Sequence, residues 1–247
     1  MTNRKNHIVK FILILFSLVC VGAILIFSLL RQGDNKEEWK DFEASLHNNE
    51  NIIDGVIKAG TAYLITSRSG DLRYGDTFSV YTQKSNKEWQ RIYENDFVDL
   101  KPWKLEIGDV DGDGIDEILT GIFRTAYYDK EIKNRMFIFN YSEGKLIKKW
   151  TGSEIAGEWK DFIVNDFVPI KGDELIFIRK TEDGERVCIY YWFKFGFFKL
   201  GESEDYQEIE GIFVKGENRL EIRYQEAGKE KKAILIAKDN NLIEIRE

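Results

Sequence analysis

The run Gly108-Asp-Val-Asp-Gly-Asp-Gly-Ile-Asp-Glu-Ile118 carries the strongest chemical signal in this chain. Three carboxylates, Asp109, Asp111 and Asp113, alternate with other residues, then Gly114 permits a sharp turn, and the acidic pair Asp116-Glu117 follows. With Asp109 as position 1, side-chain oxygens come from positions 1, 3 and 5, the Ile115 carbonyl offers one at 7, and Glu117 closes at 9. Calcium takes six to eight oxygens at about 2.3–2.6 Å in flexible geometry, which suits several carboxylates on a short loop. Magnesium keeps more water and uses fewer protein ligands. The loop has neither His nor Cys, which argues against zinc. An EF-hand would need a glutamate at position 12, where Thr120 stands. The spacing therefore predicts a Ca2+ site formed by Asp109, Asp111, Asp113, the Ile115 carbonyl and Glu117. Asp116 is the alternative closing ligand.

Other chemistry is sparse. The two histidines, His7 and His47, fall outside the repeats described below, which removes histidine acid–base chemistry from the folded domain. Cys188 lies among apolar neighbours and reads as a core residue, not a nucleophile. No phosphate-binding or dinucleotide loop is present, so the expectation is a protein without catalytic residues. Two stretches could carry recognition. One is the segment Arg124–Arg135, whose Arg124, Tyr127 and Tyr128 are candidate partner contacts; a solvated hairpin tip is the plainer explanation. The other is the aromatic run Tyr190–Phe198, for which packing between repeats competes with an exposed patch.

The elements that must hold the acidic loop are short strands. From Ile52 onward no long helical period appears, and apolar or alternating runs are separated by polar turns. One run recurs as Phe78–Tyr81, Met136–Phe139, Val187–Tyr190 and Ala233–Ile236. Each is followed by another: Trp89–Tyr93, Lys145–Lys148, Phe197–Leu200 and Asn241–Ile245. Each is preceded by two more, beginning at Ile53 and Tyr63, Lys104 and Glu117, Asp161 and Glu174, and Glu208 and Arg219. Four units of four strands result, spanning about residues 51–96, 97–152, 153–205 and 206–247. One such meander cannot bury both faces, so neighbours must stack. The expected fold is all-β, a small four-bladed β-propeller of four-stranded antiparallel blades preceded by one transmembrane helix. A β-sandwich or an open array of hairpins is the alternative.

The acidic loop falls between the first and second strands of the second unit. There the residues resemble the FG-GAP, or VCBS-like, propeller repeats, whose blades carry D-x-D-x-D-G-x-x-D loops. The resemblance covers one unit by its loop and three by strand pattern. It implies a repeat propeller with structural calcium. Glu117 stands where the motif has aspartate. The corresponding stretches of the other units, Asp54–Lys58, Asn165–Pro169 and Glu210–Val214, lack three spaced carboxylates, so one ion is expected.

Phe11–Leu30 is an apolar stretch of 20 residues, long enough as a helix to span roughly 30 Å. Arg4, Lys5 and Lys10 precede it, which places residues 1–10 in the cytoplasm, 11–30 in the membrane and the rest outside. Leu29-Leu30-Arg31-Gln32 makes a poor cleavage site. Residues 31–50, with Trp39, Phe42 and Leu46 at near-helical spacing, read as a stalk or short helix. Four of the 36 basic residues precede the first acid, Asp34, leaving 32 against 43 acidic. Such a domain is a poor partner for nucleic acid or anionic lipid. Its two cysteines, Cys20 and Cys188, are too differently placed to pair, which fits a bacterial exterior. Together these features predict a membrane-anchored extracellular binding module with an unknown protein or glycan ligand, either an adhesion module or an accessory subunit. An exported calcium-dependent hydrolase and an extracytoplasmic sensor are the alternatives.

Overall fold

The computed structural model describes residues 36–43, 46, 50–152 and 154–245. It divides into two units, residues 1–46 and 47–247. In the first, helix α1 spans Lys36–Glu43. Its Trp39 and Phe42 rings meet edge to face at 5.8 Å, as a spacing of three on a helix allows. Leu46 lies beyond the helix end. The expected tail 1–10 and membrane span 11–30 lie outside the described residues. Among the described residues no helix is long and apolar enough to cross a membrane.

The second unit is all-β. Its first sheet is β1 (Asn51–Lys58), β2 (Thr61–Ser67), β3 (Thr77–Gln83) and β4 (Trp89–Asp96). The second is β5 (Pro102–Gly108), β6 (Glu117–Arg124), β7 (Lys133–Ser142) and β8 (Lys145–Thr151). The third is β9 (Trp159–Asn165), β10 (Glu174–Lys180), β11 (Glu185–Phe193) and β12 (Gly196–Glu202). The fourth is β13 (Glu208–Val214), β14 (Leu220–Glu226), β15 (Lys229–Lys238) and β16 (Asn241–Ile245). Every sheet is an antiparallel meander in chain order.

Turn chemistry sets the register. Four hairpins close with two residues at positive φ: Ala59-Gly60, Glu143-Gly144, Ala227-Gly228 and Asp239-Asn240. That conformation carries the right-handed twist of paired strands through the turn. Bulges show that the repeat is structural and not only compositional. The register shifts between Val80 and Tyr81, between Ile138 and Phe139, and between Ile189 and Tyr190. These are the same two positions of the recurring third-strand run in three sheets. The fourth sheet has lost the bulge.

Stacking buries the sheets. Ile65, Phe78, Val80 and Phe97 pack with Leu105, Ile118 and Phe139 between the first and second sheets. Leu119, Met136 and Ile138 meet Trp159, Phe162 and Phe177 between the second and third. Ile176, Ile178 and Val187 meet Leu220, Ile222 and Leu235 between the third and fourth. Each fully buried side chain of this size contributes about 1.5–3 kcal/mol. Among the described residues no core cluster joins the fourth sheet to the first. The outer side of the fourth leaves Ile243 at 42% exposure. Four stacked sheets in propeller-like order are therefore present.

Two sequence equivalences need correction. Asp54 and Glu210, aligned above with the acidic loop, lie inside β1 and β13. The first sheet makes its turn with Ala59-Gly60 and the fourth with the short link after Val214, so neither has room for a ligand loop. Asp54 instead accepts the Leu105 N–H at 2.7 Å and joins the first sheet to the second.

Candidate metal centre

The acidic loop occupies the link between β5 and β6, on the edge where the β9–β10 link of the next sheet also emerges. Its backbone folds around its own carboxylates. Asp109 accepts the N–H groups of Asp113 at 3.0 Å and Gly114 at 2.8 Å. Asp111 accepts the Asp113 N–H at 3.3 Å. Gly112 and Gly114 sit at φ +67° and +89°, the left-handed region that the tight wrapping requires.

Three of the expected ligands converge. Asp109, Asp111 and Glu117 each place a carboxylate oxygen so that all lie within 4.8 Å of one another. Oxygens on opposite sides of a calcium ion bonded at about 2.4 Å stand that far apart, so the grouping fits the ion. Asp113 is not in this group, and its Oδ1 accepts the Ile115 N–H at 2.8 Å. The Ile115 side chain is exposed. Asp116 turns away to pair with Lys58 at 2.6 Å, which ties the first sheet to the loop.

Glu117, the first residue of β6, is fully buried. Its Oε2 accepts the Val110 N–H at 3.0 Å, and its Oε1 accepts from Asn140 Nδ2 at 3.0 Å and Lys149 Nζ at 2.6 Å. Burial raises the Glu117 pKa while Lys149 and the Val110 N–H oppose the rise. Lys149 also reaches Asp111 Oδ2 at 2.5 Å. Burial works against its charge, but the bonds to Asp111 and Glu117 prevail and its pKa is raised.

The third sheet repeats part of this arrangement. Glu174 opens β10 as Glu117 opens β6, is equally buried, and accepts the N–H groups of Phe167 at 2.9 Å and Val168 at 3.1 Å. Glu117 therefore has a loop-capping task that its counterpart performs where, among the described residues, no three carboxylates converge. Asp173 joins the two loops. It accepts the Asp109 N–H at 2.9 Å and donates its own N–H to the Asp109 carbonyl at 2.8 Å. Burial raises its pKa, and Asp166 and Asp109 add to the rise.

A cleft of about 910 Å³ opens beside the loop. Asp111, Lys171, Tyr191, Trp192, Lys194 and Asn240 are among the residues that line it. Asp111 thus belongs to both the acidic cluster and the cleft wall.

The other singled-out residues fall elsewhere. Tyr127 and Tyr128 project at 79% and 94% exposure, with their rings 4.7 Å apart. Arg124 is half-buried, and its Nε–H donates to the neighbouring Thr125 carbonyl at 3.2 Å. Their loop is held by Arg135, which is buried and donates to the carbonyls of Arg124 at 2.8 Å and Glu131 at 2.8 Å. The aromatic run divides by alternation. Tyr190 and Phe197 pack into the core, whereas Phe193, Phe195 and Phe198 are exposed. Cys188 is buried and its thiol is pushed up to about 11, far from a reactive thiolate. Lys149, Asn140 and Asp173 were not found from sequence. Lys149 lies one residue past the run Lys145–Lys148, and nothing in the sequence marks it.

No protein-family model matches the sequence. No curated protein matches it either. Among solved structures, the chain is similar to a proposed 6-phosphogluconolactonase of Bacteroides uniformis at 12% identity and TM-score 0.52, over 79% of this chain and 53% of that one. It is also similar to a proposed 6-phosphogluconolactonase of Bacteroides fragilis at 10% identity and TM-score 0.41, over 78% and 68%. The chain thus spans about half the length of the first of these. At such identity the likeness concerns the fold. It corrects two expectations nonetheless. The architecture was read as that of a membrane-anchored adhesion module or accessory subunit, and as non-enzymatic. The first of these folds is carried by a chain described as a lactonase, which does not support either reading, and both are withdrawn.

Proposed function

We propose that this chain is a calcium-holding propeller domain of the FG-GAP type. One ion is bound by Asp109, Asp111 and Glu117, with Asp113 and the Ile115 carbonyl as further oxygen donors, and it clips the β5–β6 loop beside the third sheet. The observation that carries the proposal is the meeting of three carboxylate oxygens within 4.8 Å. Without a cation these carboxylates repel, and Lys149 offsets only one of the three charges. The apolar segment 11–30 would place the domain outside the cell, where sites of modest affinity fill with calcium. Isothermal titration with Ca2+ and Mg2+ tests the proposal. Saturable calcium binding at one site per chain, lost in Asp109→Asn/Asp111→Asn, is expected; heat indistinguishable from dilution in the unsubstituted protein would refute it.

A second reading is a calcium-dependent hydrolase. It is favoured by the position of Asp111, shared between the cluster and the cleft, and by the lactonase description of the protein with the similar fold. A bound cation there would supply Lewis acidity to an ester or lactone carbonyl. Lys171, also in the cleft wall, would stabilise the negative charge that forms on the carbonyl oxygen. Trp192 and Tyr191 offer ring surfaces to orient a substrate. Assay of a panel of lactones and esters, with calcium and with chelator, decides this reading. Turnover abolished by Asp111→Asn supports it, and an inert panel counts against it.

A further inference from the structure

Lys149 stands where a metal cation would be most attracted. Its ammonium lies 2.5 Å from Asp111 Oδ2 and 2.6 Å from Glu117 Oε1, two of the three carboxylates that converge. It reaches them from β8, the last strand of the second sheet. The ammonium also lies 5.8 Å from the centre of the Trp192 ring, which lines the cleft. Its side chain is 15% exposed. The charge is thus largely withdrawn from water, and the acids are its compensation.

We infer that Lys149 is a built-in competitor for the cation site, and that calcium expels its ammonium from Asp111 and Glu117 toward Trp192 and the cleft. The inference rests on the calcium reading above. Two cations cannot share these oxygens cheaply. A divalent ion in the cluster would repel the ammonium at a separation where, out of water, repulsion is strong. The ring face of Trp192 is an alternative resting place, because its negative electrostatic potential attracts an ammonium. Lys149 then does two things. In the ion-free protein it limits the mutual repulsion of the carboxylates. In the calcium-bound protein it brings a positive charge to the wall of the cleft. Calcium affinity is set lower than the carboxylates alone would give, and occupancy of the site is transmitted to the cleft.

The test uses the full chain and two readouts. The first is calcium affinity in the unsubstituted protein and in Lys149→Met, which keeps the length and apolar stem. Loss of a charge-assisted pair predicts calcium binding about ten- to a hundredfold tighter. The second is the rate of amine acetylation at Lys149 in the unsubstituted protein, read by mass spectrometry with calcium and with chelator. Faster labelling with calcium is expected, because the ammonium leaves its carboxylates. If the unsubstituted protein binds calcium but Lys149→Met binds no tighter and labelling does not change, the inference fails while the calcium reading stands. If neither protein binds calcium, both fail. Should Lys149→Met not fold, the labelling comparison alone decides.

Discussion

Asp109 and Asp173 exchange two hydrogen bonds across the boundary between the second and third sheets. The Asp173 N–H donates to the Asp109 carbonyl at 2.8 Å, and the Asp109 N–H donates to the Asp173 carboxylate at 2.9 Å. This pair brings the acidic loop and the β9–β10 link into register, so the loop is held from outside as well as by its own turns.

The close approach of the two loops makes Gly172 sensitive. It sits at φ +86°, and a Cβ there would lie 2.5 Å from the Val110 carbonyl oxygen and 3.0 Å from the Gly112 nitrogen. Gly114 has a similar φ of +89° but open space around it. Gly114→Ala should therefore cost about 1 kcal/mol, the conformational term alone. Gly172→Ala should cost about 3 kcal/mol or more, because backbone must also move. Denaturant melts of the two variants check this, and equal losses would show that the loops do not interlock.

Glu174 gives the fold a pH dependence of definite sign. Burial raises its pKa from 4.5 to about 7, against the opposing bonds from Phe167 and Val168. A carboxyl whose pKa is higher in the folded state binds more protons folded than unfolded between those values. Its contribution is thus lost as pH rises from about 4.5 through about 7. The full swing is on the order of 3 kcal/mol. Glu174→Gln keeps an acceptor for both N–H groups and removes the charge. It should match the unsubstituted protein near pH 4.5 and exceed its stability near pH 8, in chemical melts run at both pH values.

Trp159 is the largest fully buried side chain among the described residues, and it contacts Trp103 at 5.7 Å, Phe162 at 5.6 Å and Phe177 at 5.2 Å between ring centres. Trp159→Ala should cost about 3–5 kcal/mol through lost burial and the cavity left behind. Urea unfolding is the check, and a loss below about 1 kcal/mol would mean that the second and third sheets are not held here.

Local features of the fold were legible in the sequence. Strand alternation and the Glu143-Gly144 and Asp239-Asn240 turns depend on neighbours in the chain, so the four meanders and their order could be read directly. The three carboxylates that meet are close in sequence for the same reason. What could not be read depends on stacking. Lys149 comes to Glu117 from 32 residues away, and Asp173 comes to Asp109 from 64. Neither separation has a periodic signature. The misplacement of Asp54 and Glu210 has a related cause. Alignment by strand order assumed a loop in every sheet, whereas a two-residue turn after Lys58 leaves no loop to align.

The most direct test of the central claim is the melting temperature of the full-length protein in excess calcium and in excess chelator. A ligand held only by the folded state at a hundredfold excess over its Kd adds about 2.7 kcal/mol, which for a domain of this size raises Tm by about 5–10 °C. The account predicts a rise of that order in the unsubstituted protein and none in Asp109→Asn/Asp111→Asn. The same Tm in calcium and in chelator would contradict it.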